Sequence, residues 1–250
     1  DALDQAVALL KDAKKPVVLY GRGSRKDEYW QPRIRLAERL GAAAPRFEYV
    51  AEAFPGYAAP VLRRPGPAQG GADIECVKAC FGLIPFWSKD TKIARMTYNV
   101  RSETARDKPS FRQAWSRRQW CLVPMQSFFE PNYESGRAVR WRIARRDAAP
   151  FLVAGLWDRW VAPSTGETVD SFSMLTINAD AHPLMRQFHR PGEEKRSLVV
   201  LDESRQDDWL AASADEALGL LQPITAEQFD AHADPAPARR SAARNESPPS

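Results

Sequence analysis

"FLVAGLW", Phe151–Trp157, is a seven-residue run of aliphatic and aromatic side chains broken by one glycine. It is too short for a helix of ordinary length, and its β-branched and aromatic content reads as a buried strand. Similar runs lie on both sides of it. Upstream are "CVKACFGLIPFW" (Cys76–Trp87), a strand entering a loop, then "QWCLVP" (Gln119–Pro124) and "AVRWRIAR" (Ala138–Arg145). Downstream are "SFSMLTI" (Ser171–Ile177) and "RSLVVL" (Arg196–Leu201). Turn signals such as "ESGR" (Glu134–Arg137) and "PSTGE" (Pro163–Glu167) separate them. Helical patterns fit "SFRQAW" (Ser110–Trp115), "SRQDDWLAA" (Ser204–Ala212) and "ADEALGLL" (Ala214–Leu221), with Ser110 and Gln113 spaced as a capping box. Five or six strands with few helices give an α+β class: a curled, barrel-like, mainly antiparallel sheet with flanking helices, over residues 45–230.

The flanks read differently. Residues 1–44 alternate a helical pattern, the strand-like "PVVLY" and a second helix ending at Gly41, an α-β-α segment. This piece resembles the start of the central domain of thiamine-diphosphate enzymes of the acetolactate synthase type. No cofactor-binding part of such enzymes has a match here. Residues 45–71 are rich in Pro, Gly and Ala and read as irregular chain with one extended piece, "APVL" (Ala59–Leu62). Residues 231–250 are poor in apolar side chains and read as a disordered tail.

The chain has 250 residues, a formal charge of +4 and a pI of about 9.0, a balance that permits a polyanionic partner. Its three cysteines, Cys76, Cys80 and Cys121, form neither a disulfide framework nor zinc-ligand spacing, so a reducing, cytoplasmic setting, no metal and no cofactor are expected. No apolar run approaches the roughly 20 residues of a membrane helix.

One stretch concentrates candidate ligand groups: "TYNVRSETARDKPSFRQAW", Thr97–Trp115. In an extended segment Asn99 and Arg101 share a face, and an amide beside a guanidinium suits phosphate or sugar oxygens. Lys108 and Arg112 sit at the following helix start, where free backbone N–H groups also attract anions. Surface pairing of these arginines with Glu103 and Asp107 remains the alternative. Glu130 follows two phenylalanines at the end of "CLVPMQSFFE" (Cys121–Glu130), read as one strand; desolvation there raises a carboxyl pKa toward proton-transfer use. His189, followed by Arg190 and Pro191, leaves a short helix for a loop, and His182 before Pro183 reads as a helix start.

Together, "FGLIPFWSKD" (Phe81–Asp90), "TYNVRSET" (Thr97–Thr104), "KPSFRQAW" (Lys108–Trp115), "CLVPMQSFFEP" (Cys121–Pro131), "AGLW" (Ala154–Trp157), "SFSMLTINADAHPLMRQFHRPGEEKRSLVVL" (Ser171–Leu201) and "DDWL" (Asp207–Leu210) resemble the SOS-response-associated peptidase (SRAP) family. The resemblance implies a protein that shields abasic sites in single-stranded DNA, acts as a monomer, and has autopeptidase and lyase-like chemistry. In the family an N-terminal cysteine closes a thiazolidine on the abasic aldehyde. The resemblance makes Glu130 the proton shuttle and His189 the group that helps open the sugar and reverse the adduct. Asn99 would orient the cysteine and the sugar. It assigns DNA contacts to Arg101, Ser102, Arg112 and Arg190, and an apolar wall for bases to Pro85 and Trp87. Pro131 stands where many members have tryptophan. No cysteine precedes Cys76, so the expectation is binding without covalent capture. The alternative is an inactive chimeric or truncated domain.

Overall fold

The computed structural model describes residue 50, residues 52–64 and residues 74–235. The expected α-β-α segment lies outside the described residues, as does the tail from residue 236. The described strands are β1 (Ala58–Arg63), β2 (Glu75–Phe81), β3 (Asn99–Arg101), β4 (Trp120–Met125), β5 (Ser127–Asn132) and β6 (Val139–Arg145), followed by β7 (Phe151–Val161), β8 (Thr168–Asn178), β9 (Arg196–Leu198), β10 (Val200–Leu201) and β11 (Phe229–Ala233). Three short helices are α1 (Arg112–Ser116), α2 (Gln206–Ala211) and α3 (Glu216–Gly219).

Strands β7, β4, β1, β2 and β8 pair in that order, and β8 pairs back onto β7, so five strands close a ring. Within the ring only β2 and β8 run parallel. The expectation of a barrel-like, mainly antiparallel sheet is met. The piece read as a short extended stretch, "APVL", is the core of β1 and sits in the middle of the ring between β2 and β4. Its proline-rich surroundings hid a strand whose last five residues are buried.

The apolar runs are continuous because both faces of the sheet are covered. Alternate residues feed two clusters. Leu122, Leu152, Ala154 and Leu156 pack with the helices, and Cys121, Val123, Phe151 and Val153 pack toward the second sheet. Trp115 of α1, Trp120 of β4 and Trp209 of α2 pack in series, the first pair edge to face and the second tilted, with ring centroids 4.9 and 4.8 Å apart. The Trp120 Nε1–H donates to the Ala212 carbonyl at 2.8 Å, and Trp209 Nε1–H to the Cys121 carbonyl at 3.0 Å, so neither buried indole loses its hydrogen bond. These tryptophans are core.

Three sequence readings need correction. "CLVPMQSFFE" is two strands. It breaks at Gln126, leaving β4 in the ring and placing β5 in a separate three-stranded antiparallel sheet, β5–β6–β11. Residues 231–233, read as the first of a disordered tail, are the end of β11, which pairs along β6 from Arg145 to Trp141, and the Asp234 N–H donates to the Arg140 carbonyl at 2.9 Å. A polar edge strand needs few apolar residues: the buried Phe229 anchors it, with the partly buried Ala231 packed beside the same cluster. The Ser110 capping box does not form either: α1 begins at Arg112 without a side-chain cap. Its first amide is taken by a preceding turn, Arg112 N–H donating to the Lys108 carbonyl at 2.9 Å.

Gly82 links β2 to the loop that leads into β3. It has φ +116°, and its N–H donates to the Phe172 carbonyl at 2.8 Å. The 3-10 turn Thr91–Arg95 lies directly on it. Thr97 Oγ1–H donates to the Leu83 carbonyl at 2.7 Å and closes the loop, delivering Asn99 to the edge of β8.

Candidate active site

A cleft of about 910 Å³ opens between the ring and the small sheet. One wall carries Phe81, Tyr98, Asn99, Phe172 and Met174; the other carries residues of β5 and β6, with His189 alongside. Asn99, Glu130 and His189, far apart in sequence, therefore meet. Pro85, Trp87, Arg101, Ser102, Arg112 and Arg190 lie outside the cleft lining.

Glu130 sits in mid-strand on β5 opposite Trp141, its side chain only 18% exposed. Burial pushes its carboxyl up from the ordinary 4.5 to about 8. The desolvation expected from the neighbouring phenylalanines is what the fold delivers, with Phe128 itself buried. At neutral pH Glu130 therefore holds its proton.

His189 follows the fully buried Phe188, which anchors the segment against Trp141 with ring centroids 6.1 Å apart. The backbone then turns through φ +62° at His189, a conformation uncommon outside glycine. It is held there by its N–H donating to the Pro131 carbonyl at 2.9 Å. The ring Nε2 lies 3.2 Å from the Arg196 carbonyl. A carbonyl only accepts, so Nε2 carries the hydrogen and Nδ1 presents a lone pair. That Nδ1 lies 3.5 Å from Glu130 Oε2. Burial lowers the His189 pKa. A neutral acid thus faces a neutral base at the outer edge of hydrogen-bond reach, and one proton can pass between them.

Asn99 adds an orphan. Its Oδ1 is buried and has no hydrogen-bond donor. A buried amide oxygen without a donor costs about 1–3 kcal/mol, a debt that an N–H or O–H of a ligand removes. Among the described residues no cysteine and no lysine lines the cleft. Cys76 is pushed up to about 12 by burial, and burial likewise raises Cys80 and Cys121, so these thiols stay protonated and inert. No group of three or more metal-ligating side chains is found among the described residues.

The basic stretch is more divided than its sequence suggests. Arg101 bonds Glu194 at 2.5 Å, and Arg106 bonds Asp215 at 3.1 Å, while Lys108 and Arg112 are exposed. Glu194 and Glu103 together hold Arg196, at 2.6 and 2.8 Å. The pairing partner of Arg101 is thus remote in sequence, which spacing could not reveal. Pro85 and Ser102 are buried, whereas Trp87 is 47% exposed and its Nε1–H donates to the Pro109 carbonyl. Arg190 is exposed, its Nε donating to the Tyr133 hydroxyl at 3.3 Å. His182 fulfils its helix-start reading: Nδ1 accepts from the Leu184 and Met185 amides at 3.1 and 2.9 Å.

Comparison with known proteins finds relatives of this chain. The abasic site processing protein YoaM of Bacillus subtilis is 30% identical over 166 residues, 65% of this chain and 69% of that protein. The abasic site processing protein HMCES of Xenopus tropicalis is 26% identical over 168 residues, 58% of this chain and 48% of its own length. A crystal structure of a protein from Bordetella bronchiseptica superposes with a TM-score of 0.70 at 40% identity, covering 79% of this chain and 94% of that one. Another, from Bacteroides thetaiotaomicron, gives a TM-score of 0.61 at 29% identity, covering 71% and 74%. Residues 24–234 match the family described as SOS response associated peptidase (SRAP), a match that begins within the segment read as a separate appendage. With most of its length inside that match, the chain belongs to the SRAP family.

Proposed function

We propose that this protein binds abasic sites in single-stranded DNA, as a monomer, and supplies the acid–base half of their covalent processing in the response to DNA damage. The observation that carries the reading is the Glu130–His189 pair, 3.5 Å apart, in the cleft that Asn99, with its donorless Oδ1, also lines. A ring-opened abasic sugar is an aldehyde. When an amine nitrogen adds to its carbonyl carbon, the product is a carbinolamine. Loss of the hydroxyl as water leaves the C=N bond of an imine, and that departure needs a proton. Neutral Glu130 donates it, and His189 Nδ1 takes up the proton released from nitrogen and returns it to Glu130. The Asn99 oxygen accepts from the amine and holds it in line. The names of the relatives, abasic site processing proteins, agree with this substrate.

The amine itself is not among the described residues of the cleft, so the test has two stages. A single-stranded oligonucleotide with one abasic site is compared with its intact counterpart in a native gel, then heated in detergent and run on a denaturing gel. Preference for the abasic strand is expected. A heat-stable shifted band means that the chain brings an amine to Glu130; preference without such a band means that the protein shields without a bond. Equal affinity for both strands, with no band, overturns the reading.

A further inference from the structure

The cleft contains two arginines that the site above does not use, on adjacent positions of one face of β6. They differ in what holds them. Arg140 lies 4.1 Å over the Phe129 ring and is paired with two carboxylates, Glu52 and, at 3.6 Å, Asp234. Arg142 has no ion pair among the described residues. Its Nε donates to Ser127 Oγ at 3.0 Å, which fixes the head group and leaves the two terminal nitrogens free to donate. It is half-buried and lines the same cleft as Glu130, and it stands opposite Phe129 in the β5–β6 register.

A guanidinium held by its Nε in the lining of a cleft, with both terminal nitrogens unbonded, suits the paired oxygens of a phosphate or carboxylate. The neighbouring carboxylates cannot fill that role. Glu52 and Asp234 are committed to Arg140, and Glu130 is kept neutral by burial. We infer that Arg142 binds a backbone phosphate of the DNA strand, on the small-sheet wall of the cleft. This deepens the function proposed above and rests on it for the identity of the strand. Arg101 and Arg112 lie outside the cleft lining, so Arg142 supplies a phosphate contact separate from theirs. Arg142 shares one face of the small sheet with Phe129, and Glu130 shares the other with Trp141, so the strand is gripped across the β5 edge from the proton-transfer pair.

The test measures binding of an abasic single strand as a function of salt for the wild type, Arg142→Gln and Arg142→Lys. Each phosphate of the strand is also replaced in turn by an uncharged methylphosphonate. Arg142→Gln is expected to weaken binding about tenfold at low salt and to lower the slope of log K against log salt by about 0.7, the share of one phosphate contact on a single strand. Arg142→Lys restores the slope but not the full affinity. One methylphosphonate position should weaken the wild type and have no further effect on Arg142→Gln. An unchanged slope in Arg142→Gln, or additive losses at every position, overturns the inference. Should Arg142→Gln fail to fold, Arg142→Met, which also removes the charge and keeps the apolar stem, takes its place under the same criterion. A wild type that does not distinguish abasic from intact DNA refutes the proposed function alone, because the slope still reports whether Arg142 meets a phosphate.

Discussion

Glu130→Gln is expected to slow covalent processing of abasic DNA by at least about 100-fold while binding changes little, since a positioned general acid contributes on the order of 10² to 10⁴. The amide keeps the shape and loses the proton. The pH profile separates this from a packing defect. In the wild type the rate should hold up to about pH 8 and then fall as the carboxyl ionises, and the variant should show no such fall. Stability moves with it. A carboxyl whose folded pKa lies above its unfolded value retains a proton that the unfolded chain releases. Its contribution is fully present below about pH 4.5 and is lost as pH rises to about 8, a difference of roughly 4–5 kcal/mol at about 1.36 kcal/mol per unit. Glu130→Gln should flatten that decline. Chemical denaturation at pH 5 and pH 8.5 measures it, and parallel declines in the two proteins would show that Glu130 is not the buried acid described here.

Gly82→Ala should cost more than any single change at the site. A Cβ there would lie 2.0 Å from the Ala94 carbonyl oxygen and 2.5 Å from the Ala94 carbonyl carbon and Cα. All three are backbone atoms, so no rotamer change relieves the clash, and φ +116° is itself closed to alanine. The turn over Gly82 must move or the strand must. A loss of at least about 3 kcal/mol is expected, read as a fall of roughly 6–12 °C in Tm for a chain of this size. DNA binding falls further than stability alone explains, since the displaced loop carries Tyr98 and Asn99. A Tm within 2 °C of wild type would mean that the loop is slack.

The ring was readable from "FLVAGLW" and its neighbours because strands covered on both faces advertise themselves as unbroken apolar runs. The small sheet was not. Nothing in the periodicity of Cys121–Glu130 marks the change of sheet at Gln126, which depends on where β6 lies rather than on local preference. The roles of the three central site residues came from motif resemblance, and spacing alone would not have joined Asn99 to His189. Two physical signals were nonetheless local: the phenylalanines that desolvate Glu130, and the proline after His182 that marks a helix start. Arg140 and Arg142 were visible as charges in a strand. Their difference in pairing was not, because Glu52 and Asp234 approach from distant parts of the chain.

Strand β8 has consequences for how this protein fails. Its first half hydrogen-bonds to β7 and β2, and its second half to β3 and β9. The same eleven residues close the ring and carry the edge from which Asn99 and the carbonyl partner of His189 are hung. The site has no hinge of its own at this edge. Warming should therefore not yield a folded but inactive species: loss of binding and loss of the ring should follow one curve, and amide protons near Met174 and Leu175 should exchange only when the whole domain opens.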